Sequence, residues 1–152
     1  MFRVLKPGHN LVVFDGYLRR KPDSFVEATL YEQFKKGWTL PDLVSAQHFS
    51  HQAQEVGFRV VLVKDCTVHI KDCVLLVYKI ARTFKPFIKL ARFLEKNKIN
   101  IPLLKRLFKN LGFNTQIARD FVDTCLIQKP LTEWGVCGYY VHVLEKPPRR
   151  LQ

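Results

Sequence analysis

Only three stretches of this 152-residue sequence read as strands, and long helical stretches separate them. The first is Leu-Val-Val-Phe at 11–14, between the turn Lys6-Pro7-Gly8 and Asp15-Gly16. The second, residues 58–67, is β-branched and half alternating. The third is Gly-Tyr-Tyr-Val-His-Val-Leu at 138–144. Strands interleaved with helices predict an α/β fold, a small mixed sheet with flanking helices.

The helical stretches carry their own punctuation. Ser24 caps a helix to about residue 36, with Glu27 completing a capping box. Phe25, Ala28, Tyr31, Phe34 and Trp38 form its expected apolar stripe. Pro41 breaks the pattern. Ser45 caps a second helix, with Ala46, Phe49, Ala53 and Val56 on one face and Gly57 as its stop. Residues 72–96 are helical in period with Pro86 inside, which predicts a kink or two helices. A short amphipathic segment follows at 101–111, ended by Gly112. A last helix at 115–127 turns Ile117, Phe121, Thr124 and Cys125 inward.

The apolar share, 47%, suffices for a core. No apolar run approaches the roughly 20 residues of a membrane-spanning helix, and the first ten residues contain no signal-like apolar region. Cys66, Cys73, Cys125 and Cys137 form no C-x-x-C pair, so the expectation is reduced thiols in a cytoplasmic protein, with no metal site. His48 and His51, three apart, are too few to hold zinc alone.

The net charge of +12 is concentrated, with +9 of it in residues 71–129. From Arg82 the cations Lys85, Lys89, Arg92 and Lys96 follow at steps of three and four, on one helical face. A solvated face is the plain reading. No acid interrupts the run before Glu95, however, and a basic amphipathic helix suits an anionic membrane surface, making the protein peripheral there. The stripe has no interleaved aromatics and the chain has no nucleic-acid motif, so nucleic acid is not the expected partner.

Several short motifs carry a resemblance. FRVLKPG followed by LVVFDGY resembles the approach to the fifth strand of class I S-adenosylmethionine-dependent methyltransferases. Gly37-Trp38-Thr39-Leu40-Pro41 resembles the lid of the small-molecule methyltransferases related to sterol and tocopherol methylation. Glu55-Val56-Gly57-Phe58 is similar to the family's E/A-A-G-F before its sixth strand. Asp65-Cys66-Thr67 resembles the D-x-T that ends that strand, and Gly138-Tyr139-Tyr140-Val141 with Glu145-Lys146-Pro147 resembles the last strand. These motifs keep the family's order over residues 2–147. His9 stands where a second glycine is usual, and Val56 where alanine is usual.

The resemblance also implies an omission. The family cradles its donor on a Gly-rich loop after its first strand, where glycine permits close backbone approach. The seven glycines here form no G-x-G, and none before Gly37 joins a strand to a helix of that kind. The resemblance therefore implies the C-terminal part of a partial Rossmann-like domain, with strands equivalent to 5-7-6. Residues 1–22 hold strand five, 23–57 the lid and a helix, and 58–70 strand six. Residues 71–130 form the basic helical block, 131–147 the last strand and 148–152 a tail. S-adenosylmethionine is the cofactor of the complete domain, and a small molecule, lipid-like in one version, is its acceptor. The isolated chain is expected to hold no donor and to be inactive. Its first strand loses a neighbour, inviting self-association or a complementing chain. Tyr17, Tyr31, Trp38 and Leu40 are the implied acceptor wall and lid, and His69 the implied general base. A binding module without catalysis, at a membrane surface or on a partner chain, is the alternative.

Overall fold

The computed structural model describes residues 2–97 and 115–148. In chain order they form β1 (Asn10–Leu18), α1 (Phe25–Trp38), α2 (Ala46–Glu55), β2 (Arg59–Asp65), α3 (Lys71–Lys96), α4 (Thr115–Glu133) and β3 (Cys137–Glu145). The segment expected at 101–111, with Gly112, lies outside the described residues.

The strands form one sheet in the order β1-β3-β2. The last strand lies between the other two and is antiparallel to both, with Val13 opposite His142 and Lys64 opposite Val141. This is the expected 5-7-6 order. The expectation of a mixed sheet needs correcting, because every hydrogen-bonded pair is antiparallel. β1 and β2 run parallel to each other but never pair, since β3 separates them.

β1 is longer than its apolar run. Asp15-Gly16 reads as a turn, yet the strand continues to Leu18. The Gly16 amide closes locally on Asp15 Oδ1 at 2.7 Å, and the Leu18 amide donates to Val44 O at 3.0 Å.

Both expected N-caps are present. Ser24 Oγ accepts from the Glu27 amide and Ser45 Oγ from the His48 amide, each at 3.1 Å. The stripe of α1 differs from expectation. The Glu27 carboxylate turns inward to meet Arg20 at 2.6 and 2.8 Å and the Asp23 amide at 3.0 Å. The buried face is therefore Glu27, Tyr31 and Phe34, while Phe25 and Ala28 are exposed.

α3 runs unbroken through Pro86. That proline is exposed, so its ring and the carbonyl it leaves unpaired face water. α4 likewise continues through Pro130, which places residues 131–133 in the helix rather than in the last strand. Gly135, at φ +73°, ends it, with Val136 N donating back to Leu131 O at 3.0 Å. Of the residues expected to point inward on α4, Thr124 and Cys125 are buried, whereas Ile117 and Phe121 are exposed along a groove beside α3.

Three clusters make the core. Tyr31, Phe34, Leu131, Val136 and Cys137 join α1 and α4 to β3. Ala81, Ile88, Val122 and Cys125 join α3 to α4. Ala53, Phe58 and Leu144 hold α2 on the sheet.

Candidate functional site

Among the described residues, no strand pairs with the second edge of β1. Arg19 N donates to Val136 O and Lys146 N to His9 O, so the odd-numbered residues bond β3. The even-numbered residues, from Asn10 to Leu18, turn their amides and carbonyls outward. Asp15 and Val44 satisfy the outward amides of Gly16 and Leu18. Those of Asn10, Val12 and Phe14 have no partner among the described residues.

At the carboxyl end of this edge lies a cavity of about 610 Å³. β1 supplies Val13, Asp15, Gly16 and Tyr17. The end of α1 and the segment after it supply Trp38, Leu40, Asp42 and Leu43, with Phe34 and Phe49 from the flanking helices. α4 and β3 close the back with Phe121, Cys125, Gln128, Leu131 and Tyr139.

The segment after α1 is held from beneath by Tyr31. Its hydroxyl donates to Asp42 Oδ1 at 2.6 Å and accepts from the Leu43 amide at 3.2 Å. The bond from Leu18 N to Val44 O ties the same segment to β1. Trp38 stands edge-on to Phe121, ring centres 5.6 Å apart, joining the end of α1 to α4. α1 ends at Thr39, whose φ of 56° lies in the left-handed region, with its amide on Lys35 O and Lys36 O. A β-branched residue is costly there. Thr39→Gly is therefore expected to stabilise the protein by about 1 kcal/mol, a rise in Tm of roughly 2–4 °C. A lowered Tm in thermal denaturation would contradict the strain.

The cavity's polar groups are hydroxyls, carboxylates and an amide. Tyr17 is 3% exposed. Burial, with Asp15 nearby, pushes its hydroxyl up to about 12, and burial also raises that of Tyr139, which hydrogen-bonds Gln128. Both phenols stay protonated at neutral pH and serve as donors or acceptors without charge. Burial pushes the Cys137 thiol up to about 12 and raises that of Cys125, so neither is a ready nucleophile. Hydrogen bonding from Tyr31 holds the Asp42 carboxyl below its usual range. No Lys, Arg or His is among the described residues that line the cavity. Such a site can enclose a small, largely apolar molecule and orient one polar end of it.

Of the residues named from sequence, Tyr17, Trp38 and Leu40 meet at this cavity. Tyr31 sits one layer below, under Asp42 and Leu43. His69 is exposed in the turn after β2, with its amide on Cys66 O at 2.9 Å, and does not line the cavity. Arg82, Lys85, Lys89, Arg92 and Lys96 lie along α3; all but Arg82 line a separate groove against α4. The back wall of Phe121, Gln128 and Tyr139 was not anticipated as a site; the apolar period of α4 and the aromatic pair of β3 were its only traces. No group of three or more potential metal ligands occurs among the described residues.

The donor implied by the resemblance does not fit these residues. Gly37 is spent on a close contact with Thr124, and Gly138 on close contacts with Arg19 and Thr67. Gly8, Gly57 and Gly135 hold left-handed turn or helix-end positions, and Gly16 is inside β1. None of them opens a strand-to-helix loop toward a ligand.

No family model and no curated protein matches this sequence. Solved structures do. A Haemonchus contortus phosphoethanolamine N-methyltransferase 2, in complex with phosphomonomethylethanolamine and S-adenosylhomocysteine, superposes with a TM-score of 0.59 at 14% identity. A Galdieria sulphuraria protein described as a sarcosine dimethylglycine methyltransferase gives 0.53 at 13%. Each comparison covers 96% of this chain, but only 28% and 44% of those chains. The fold is thus similar to part of the small-molecule S-adenosylmethionine-dependent methyltransferases.

Proposed function

We propose that this chain is the C-terminal portion of a small-molecule methyltransferase domain and supplies the lid and acceptor wall. The observation that carries this reading is the β1-β3-β2 sheet, its central strand antiparallel to both neighbours, with a walled cavity at the carboxyl end of β1. In open α/β folds ligands bind at the carboxyl ends of strands. Tyr17, Trp38 and Leu40 then contact the acceptor, Tyr31 fixes the lid over it, and enclosure removes water and aligns the reacting groups. His69 has no role at this cavity.

A donor-binding segment pairs with the outward amides of Asn10, Val12 and Phe14 and brings the Gly-rich loop this chain lacks. Alone, the chain holds no donor and turns nothing over. Calorimetric titration with S-adenosylhomocysteine is expected to show no binding at about 100 µM ligand; a micromolar dissociation constant contradicts the reading. A second reading, a basic module without chemistry of its own, is favoured by one observation: the cationic side of α3.

A further inference from the structure

α3 is 26 residues long, about 39 Å, and only one side of it is used for packing. Val74, Ala81, Ile88 and Ala91 are buried there. The opposite side exposes large apolar residues. Leu76, Phe87, Leu90 and Phe93 are 57%, 65%, 55% and 58% exposed, and their spacing sets them along the outward face. Lys79 lies among them on its long stem. An apolar face of this kind on a helix is a contact surface in search of a partner.

Its charge names the partner. Arg82, Lys89 and Lys96 recur every seven residues along one margin of that face, and Lys85 and Arg92 form a second row behind them. Lys85 is paired with Asp123 at 3.1 Å. Arg82, Lys89, Arg92 and Lys96 form no ion pair with the described residues. Lys85 and Arg92, with Lys89 and Lys96 of the margin, line a groove of about 810 Å³ against α4, to which Arg119 adds a further cation and Asp123 the only carboxylate among its described lining residues. An exposed aromatic and aliphatic face with a continuous cationic margin fits the boundary between headgroups and acyl chains of an anionic bilayer. No helix among the described residues is long and apolar enough to cross the membrane, so the contact is lateral.

We propose that the outer face of α3 docks on an anionic phospholipid surface, with Phe87, Leu90 and Phe93 at the acyl boundary and the Arg82–Lys89–Lys96 margin on the phosphate headgroups. This holds whether or not the chain is part of a methyltransferase.

Flotation with vesicles tests it. The protein is expected to float with vesicles of phosphatidylcholine containing about 30% phosphatidylserine at about 0.1 M NaCl, and at least about tenfold less with pure phosphatidylcholine or at about 0.5 M NaCl. The triple variant Arg82→Gln, Lys89→Gln, Lys96→Gln is expected to lose binding about tenfold or more. The double variant Phe87→Ser, Phe93→Ser is expected to lose as much with its charge unchanged. All five side chains are exposed, and circular dichroism of each variant confirms that it folds. The proposal is overturned if the folded protein does not float, or if either variant floats like the parent. It is overturned equally by DNA-duplex binding that matches vesicle binding and survives Phe87→Ser, Phe93→Ser. A lipid-free dimer that those serines dissociate, without flotation of the parent, makes a second copy the occupant and also overturns it.

Discussion

Gly37→Ala is expected to lower stability by about 3 kcal/mol, a fall in Tm of roughly 6–12 °C. A Cβ built at Gly37 overlaps Thr124 Oγ1 and comes within 2.9 Å of Thr124 Cβ. Thr124 is buried on α4 and bonded to Asp120 O at 2.6 Å, so it cannot swing aside. The substitution forces α1 and α4 apart just where Trp38 meets Phe121, loosening the cavity wall with the core. Thr124→Ala in the same protein is expected to recover part of the loss, because it removes the overlapping oxygen. Additive losses in the double variant would show that the two helices do not depend on this approach.

Glu27→Gln is expected to be the second severe change, with a fall in Tm of about 5 °C or more at neutral pH. Glu27 is buried and binds both terminal nitrogens of Arg20. Arg20 also donates to Trp134 O at 3.0 Å, so this pair fastens the start of α1 to the end of α4. Hydrogen bonding from Arg20, then from the Asp23 amide, holds the Glu27 carboxyl down at about 2. A carboxyl depressed by folding stabilises the native state fully above its unfolded value near 4.5. That contribution fades as pH falls through this window toward about 2. The parent protein should therefore lose stability between about pH 4.5 and 2, while the Glu27→Gln variant should show a shallower acid limb. Their Tm values should converge near pH 2. A constant gap across that range contradicts the assignment.

The strands and helix caps were legible because each rests on local chemistry. Ser24 and Ser45 sit where a hydroxyl can reach an amide three residues on, and Gly57 where the chain turns left-handed before β2. The sheet order was legible only through the resemblance; nothing in residues 138–144 alone says that they insert between two strands over 70 residues upstream. The stripe of α1 was misjudged because period counting treats Glu27 as polar and Phe25 as apolar. The Arg20 partner that draws Glu27 inward lies outside the helix. Pro86 reads as a kink or a helix boundary because the sequence does not show that it lies on an exposed face, where water meets the carbonyl left without its amide. Half of the cavity, Tyr17 with Trp38 and Leu40, was visible in local motifs. The half from α4 and β3 was not, because it is assembled by topology, with Tyr139 opposite Gly16 across two strands.

If β1 is the open border of a larger sheet, amide hydrogen exchange along it reports that border residue by residue. Alternation is expected: the amides of Leu11, Val13 and Tyr17 protected by β3, and those of Val12 and Phe14 exchanging orders of magnitude faster. Uniform protection from residue 11 to 17, in a protein shown to be monomeric, would mean that the chain already covers this edge itself and that β1 is no open border.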